Sequence, residues 1–442
     1  MLRTSESTVG AAHAPTVWRR LREKLAANPL LTGSALFFVS TTIVNGGNYL
    51  FNLLLGRWLG PAIFADVSII VTLFLLLTFV TAGLQQTAAK FAAIYSVEHD
   101  TAQLYALRQW LNRRARLIGL LCLVIIGGGA LFWQRFFHTT SPWIFVIFAL
   151  GLPIYFVQGV DRGILQGQTH FAILAASYQA EMWVRLLVGL LLVGWGWAAH
   201  GAIVGLTLSV LATWLVSTYA LRKLQAPEAD REDQPRHLTH DEVRSLIAFA
   251  LPVLLAETSL ILINNSDVLI VKRFFDGVSA GQYAALALIG RIVFFATWSV
   301  VITMFPLVAQ KQQRQEPHRH LLGASLVMVV VVSLGIIAVT MWAPTLIVQL
   351  LFGTDYLAIV PLLALYATAT TLFALANVFI NYHLALGDRV GTLLALLAGV
   401  FQVITLILLH ATLYQVVVIQ LLLMGGLLLL LIGWDWWLAR QG

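Results

Sequence analysis

Apolar residues run along this chain in stretches of about twenty or more, broken by short polar segments, and that pattern predicts helices of bilayer length. Twelve such runs are expected, over 34–55, 62–84, 115–133, 142–160, 173–196, 200–221, 246–271, 280–305, 321–343, 357–382, 390–409 and 413–437. The pair within 45–93 organises the rest. It reads as an apolar helix, a tight corner at Gly56-Arg57-Trp58-Leu59-Gly60-Pro61, and a second apolar helix through Gly83-Leu84-Gln85-Gln86 to Lys90. A corner that short makes the two helices antiparallel neighbours. Laid against itself by about half its length, the chain places Leu55 to Val67 over Val271 to Tyr283, and Asn48 over Asn264. A repeat of that period in a membrane chain predicts two related bundles facing each other across a pathway.

The expected fold is therefore an all-α polytopic membrane protein with twelve transmembrane helices in two repeat-related six-helix lobes around a central cavity. Its parts are a cytoplasmic tail with an amphipathic segment (1–33), an N-terminal lobe (34–221), a cytoplasmic linker (222–245) and a C-terminal lobe (246–438).

Composition excludes the soluble alternatives. Of 442 residues, 59% are hydrophobic and only 11% charged, against about a quarter charged in soluble domains. A net charge of +7 would fit a nucleic-acid binder, but topology accounts for it and no nucleic acid is expected. With both termini inside, all but six of the 27 Lys and Arg fall in cytoplasmic segments. The exceptions are Arg57, Arg135, Lys272 and Arg273 outside, and Arg185 and Arg291 within spans. The localisation expected is a multi-pass cell membrane protein with cytoplasmic N- and C-termini. The single cysteine, Cys122, rules out a disulfide within one chain.

Candidate chemistry is confined to polar residues inside the apolar runs. Asn45, Asn48 and Asn52 share one helical face, and Glu257, Asn264 and Asp267 form a matching stripe in span seven. Such residues face a water-filled cavity or bond a neighbouring helix. Glu181 and Arg185 lie one turn apart in span five, and Arg291 lies midway along span eight at about the depth of Glu257. A charge at a helix centre costs about 2.5 to 3.5 kcal/mol on insertion scales, so four of them call for a role. Two roles stay open: structural pairs, Glu181 with Arg185 and Glu257 with Arg291, or an anion site, because a guanidinium fork binds two phosphate oxygens at once. Asp66 and Asp161-Arg162 are expected at the membrane interfaces. Neither Gly127-Gly128-Gly129 nor Gly425-Gly426 is followed by a Walker lysine, and His318 and His320 lack a third ligand beside them. No cofactor and no metal are expected.

Several short patterns resemble one family. They are Leu59-Gly60-Pro61, Gly83-Leu84 with Lys90 beyond, Pro252 and Asp267 in span seven, Ala280-Gly281-Gln282-Tyr283, Pro306, and Leu351-Phe352-Gly353 followed by Tyr356. Over about 34–410 they are similar to the polysaccharide and oligosaccharide flippases (Wzx-like polysaccharide transporters) of the multidrug/oligosaccharidyl-lipid/polysaccharide exporter superfamily. The resemblance implies a transporter, not an enzyme. It would flip polyprenyl-pyrophosphate-linked oligosaccharide to the outer leaflet for cell-surface polysaccharide synthesis, by alternating access. Arg185, Arg291, Asn48, Asn264 and Lys272 are the candidates for substrate binding, and Glu257, Asp267 and Glu181 for coupling to H+ or Na+. The expected partners are the lipid-linked oligosaccharide and membrane lipids, for a monomer that leaves room for association with polysaccharide assembly proteins. Two rivals stand beside this: an ion-coupled multidrug or organic-cation antiporter of the same superfamily, which would want an acidic cavity, and a membrane glycan polymerase or ligase. The second would carry a large external loop with catalytic Arg or His, and none is present.

Overall fold

The computed structural model describes residues 29–98, 100–229 and 238–441, with side chains over 36–98, 100–224 and 238–440. The expected amphipathic segment of the tail lies outside the described residues, as does the centre of the linker, 230–237. Among the described residues there are helices and turns but no strand.

Helix α1 (Pro29–Val97) is 69 residues long and breaks at Gly60, whose φ of 71° and ψ of 167° are outside helical values. An unbroken helix of that length would measure about 100 Å, more than three times a hydrocarbon core. It folds back instead. The Phe37 ring in the first arm lies 5.9 Å from that of Tyr178, tilted by 59°, and Gln85 in the second arm donates to the same tyrosine's hydroxyl at 3.2 Å. The corner is built as Gly60-Pro61 predicts: the glycine supplies the left-handed backbone, and the proline opens a helix whose first N–H needs no partner.

Helix α2 (Thr101–Cys122) is capped by Asp100, which accepts from the Gln103 amide. It runs through a π-helical turn, Leu123–Gly128, and bends by 61° into α3 (Ala130–Phe137). Its start at Thr101 is the main departure from the expected spans: the amphipathic stretch before 115 is a continuation of the helix, with Gln103, Leu104, Leu107 and Leu111 buried. Then follow α4 (Trp143–Gly167), α5 (Phe171–Leu192) and α6 (Ala198–Ala229). The last two form a second hairpin, since Thr213 of α6 donates to the Ser177 carbonyl of α5 at 2.8 Å. In the second half, α7 (His240–Phe274) opens on a Thr239–Glu242 capping box and α8 (Gly277–Gln313) on an Asp276 cap. Four more helices are long, α9 (Arg319–Trp342), α11 (Leu363–Ala385), α12 (Val390–Leu408) and α13 (Leu413–Gln441). Short α10 (Pro344–Leu351) and a 3-10 stretch, Thr354–Leu362, connect α9 to α11.

Nine stretches are long and apolar enough to cross a membrane, or ten with the bent α2–α3 pair. Two of the nine, Leu36–Val97 and Phe171–Leu224, are the hairpins and cross twice, giving twelve crossings among the described residues. Within the first half α5 packs on α6 and α4 on α1, α2 and α6; within the second, α11 packs on α8, α9 and α13, and α12 on α7. The halves meet chiefly where α1 packs on α7 and α8.

Candidate functional site

The contacts between halves form two belts along α1. At the corner end, Lys272 Nζ lies 2.7 Å from Asp66, and the Tyr356 hydroxyl donates to the Gly56 carbonyl at 2.7 Å. Gly281 of α8 lies so close to the backbone of Pro61 that any Cβ would overlap the Pro61 carbonyl. At the other end Gln86 donates to Glu257 at 2.9 Å, and Lys90 sits over the Phe249 ring at 4.1 Å.

Between the belts lies a cavity of about 550 Å³ lined mainly by both arms of α1, α4 and α5, with Val268, Ala284, Leu288, Arg291 and Phe295 from the second half. Among the described residues lining it, four are charged: Arg162, Glu181, Arg185 and Arg291. Glu181 is held on both sides, by Arg185 at 2.5 Å and by Arg162 at 2.8 Å. Arg185 also donates to the Asn48 side chain at 3.1 Å, with its guanidinium over the Phe74 ring at 5.1 Å. Arg162 donates to Ser177 and Thr213 and stacks on Tyr178 at 3.7 Å. Arg291 donates to the Asn264 carbonyl and the Asn265 side chain, both at 2.9 Å. The Nε–H groups of Arg185 and Arg291 are buried without a partner among the described residues. Three guanidiniums against one carboxylate make the cavity cationic, and the Tyr178 and Phe74 rings support Arg162 and Arg185.

The structure thus brings Asn48, Glu181, Arg185 and Arg291 onto one cavity and leaves the other candidates elsewhere. Asn45 and Asn52 also line it, whereas Asn264 lines a separate space of about 30 Å³ with Arg291, Tyr366, Gln402 and Gln420. Glu257 and Arg291 do not pair, contrary to the structural pair considered from depth alone. Glu257 faces Gln86 across the halves, while Arg291 turns toward α7 backbone and Asn265. Lys272 is buried against Asp66 and does not line the large cavity. Asp66 is buried too, and its second oxygen accepts from the Thr140 amide and hydroxyl at 2.8 and 2.7 Å.

Asp161 and Arg162 are likewise buried, because α4 continues to Gly167 and α6 covers its end. Asp161 accepts from Arg108 at 3.0 Å and from Thr218 at 2.8 Å, which fixes the turn that carries Arg162 into the cavity. Sequence reasoning missed Arg162 as a cavity residue; the signal was Gln158, one turn earlier on the same helical face. Also unforeseen is the surrounding of Asp267, where Tyr283 and Tyr366 donate to one carboxylate oxygen at 2.8 and 3.0 Å and the other is buried without a partner among the described residues. His318 lies 2.8 Å from the Tyr382 hydroxyl.

A family model described as polysaccharide biosynthesis protein matches residues 30–312. No curated protein matches the sequence. Among solved structures, a multidrug resistance MATE family transporter of the MOP superfamily in its inward-facing conformation is similar at 14% identity, over 88% of this chain and 94% of that one, with a TM-score of 0.74. The outward-facing conformation of such a transporter gives 14% identity, 94% and 96% coverage and a TM-score of 0.66. The lipid II flippase MurJ in an inward closed conformation gives 13%, 91% and 87%, and 0.68. At these identities the likeness establishes a shared fold, here a multi-pass helical membrane protein built as MOP-superfamily transporters are. With its match covering well over half of the sequence, the chain belongs to the polysaccharide biosynthesis protein family.

Proposed function

We propose that this chain is a transporter that flips an oligosaccharide linked to polyprenyl pyrophosphate from the cytoplasmic to the outer leaflet of the cell membrane. The observation that carries the proposal is the cavity's charge: among the described residues, Arg162, Arg185 and Arg291 stand against Glu181 alone, and the Nε–H donors of Arg185 and Arg291 have no partner. A pyrophosphate offers the oxygens those donors lack. Asn48 holds Arg185 in place, and Asn45, Asn52 and Gln158 supply amides for sugar hydroxyls. The lipid tail has an exit where Asn45 and Phe295, both exposed, edge the cavity between the first arm of α1 and α8. Lys272 is tied to Asp66 in this conformation and reaches substrate only once the corner belt opens; Asn264 acts through Arg291, whose guanidinium its carbonyl accepts.

Coupling to an ion falls to Glu257 and Asp267. Glu257 joins the two halves through Gln86, so a proton or sodium ion taken up there changes the strength of that belt. Asp267 has a buried oxygen without a partner among the described residues, beside two tyrosines. Glu181 is clamped between two arginines and sets the charge of the site.

The rival with a specific observation behind it is a multidrug antiporter, because MATE transporters share the fold. An organic cation would meet three guanidiniums, so the cavity favours an anion. Binding of a soluble pyrophosphate-linked sugar to the purified protein separates the two. Wild type is expected to bind it, Arg185→Ala and Arg291→Ala each to bind about 10- to 100-fold more weakly, and organic cations to leave the affinity unchanged. Competition by an organic cation, with no effect of the arginine variants, sinks the flippase.

A further inference from the structure

The charge of the central cavity also bears on the saccharide. Among the described residues that line it, three guanidiniums stand against one carboxylate, which leaves two positive charges in excess. Two charged neighbours behind the wall add nothing to that excess. Lys272 is neutralised by Asp66 at 2.7 Å, and Asp267 stands beyond Tyr366, which shares a small space with Arg291 and donates to that carboxylate at 3.0 Å. A pyrophosphate esterified at both ends carries one ionised oxygen on each phosphorus at neutral pH. Its charge therefore equals the excess.

Charges held in a partly buried site are screened much less than charges at a surface. Once the pyrophosphate is in place, the arginines' attraction for any further anion is cancelled by the phosphates. A carboxylate on the sugar would then lose its hydration with no net field to offset the loss. Glu181, the one acid among the described lining residues, would also repel it. The groups left for the sugar are uncharged: Asn45, Asn52 and Gln158 offer amides, Ser68 a hydroxyl, and Tyr49 and Phe295 ring faces. Resting on the reading of this cavity as a pyrophosphate site, we propose that the saccharide it carries is uncharged, built from neutral hexoses, deoxyhexoses or N-acetylated amino sugars and free of uronic or other acidic sugars.

The test titrates three short-chain probes onto the full-length protein in detergent at neutral pH, with binding read by calorimetry. The probes are citronellyl pyrophosphates carrying glucose, glucuronate or glucuronamide. Wild type should bind the glucose and glucuronamide compounds alike and the glucuronate compound about 10-fold more weakly, the scale of one carboxylate whose lost hydration is not offset. Glu181→Gln raises the excess by one charge and should close that gap, which exclusion by shape would not do. Glucuronamide, with the bulk of glucuronate and no charge, makes the same distinction without any variant. The inference is overturned, and the pyrophosphate site kept, if wild type binds the glucuronate compound at least as tightly as the glucose compound while Arg185→Ala/Arg291→Ala binds neither. It is also overturned if glucuronamide is disfavoured as strongly as glucuronate, since shape and not charge then selects. Binding of none of the three by wild type, or binding indifferent to the double arginine variant, removes the pyrophosphate site itself and this inference with it.

Discussion

Glu181 is the residue whose surroundings say most about what the cavity accepts. A carboxylate between Arg162 and Arg185 neutralises part of their charge, so its removal should sharpen an anion site and spoil a cation site. Glu181→Gln is expected to bind a pyrophosphate-linked sugar more tightly by about tenfold, and to turn over more slowly because release suffers. Calorimetry on the purified variant checks this, and weaker binding would show that the carboxylate itself holds the substrate. Arg291→Lys should keep part of the activity, since a point charge replaces a fork. The residue scale is also where the sequence misled. Depth along a helix was legible, and it placed Arg291 and Glu257 at one level, but helical phase about the bundle axis was not, and the two turn to different neighbours. Arg162 was lost for a related reason: a hydropathy run ends at the first charges, whereas α4 ends at Gly167.

At the scale of elements, the two hairpins and the corner of α1 were legible because Gly60-Pro61 carries its own backbone instruction. The internal repeat pointed to the matching corner between α7 and α8, and the two corners meet: Pro61 packs on Gly281, and Asp66 pairs with Lys272. What no pattern of apolar runs conveys is that these contacts close one end of the cavity. Removing one partner of a buried ion pair costs about 3 to 5 kcal/mol, so Asp66→Asn should shift the population toward a state open at that end. In a Cys122→Ala background, Ser68→Cys, a cavity-lining and buried position, reports this through labelling by an impermeant thiol reagent applied from the corner side. Labelling should rise in Asp66→Asn, and a rate equal to the parent would show that the pair does not gate the cavity. Gly281→Val, which cannot approach Pro61, should act in the same direction.

For the whole molecule, the lobes 34–221 and 246–438 are the moving bodies of the proposed mechanism, and α1, which packs on α7 and α8, is the element across which they rock. Orientation follows from the basic residues: a reporter active only in the cytoplasm should give signal at Gln225 and Gln313 but not at Thr354. Signal at Thr354 would invert or break the twelve-crossing topology. In the proposed mechanism, energy comes from an ion gradient, the membrane potential or consumption of product. Flux in vesicles should respond to an imposed proton or sodium gradient in wild type and lose that response in Glu257→Gln or Asp267→Asn; an unchanged response in both would remove these carboxylates from coupling. The central claim, that the cationic cavity carries a pyrophosphate-linked saccharide across the bilayer, is met most directly by reconstituted flipping of a fluorescent polyprenyl-pyrophosphate sugar, scored by quencher access from outside. Wild-type vesicles should expose the labelled lipid in the outer leaflet, and vesicles with the same amount of folded Arg185→Ala/Arg291→Ala protein should not. Equal exposure by the two proteins, or none by either while an organic cation is exported, would contradict it.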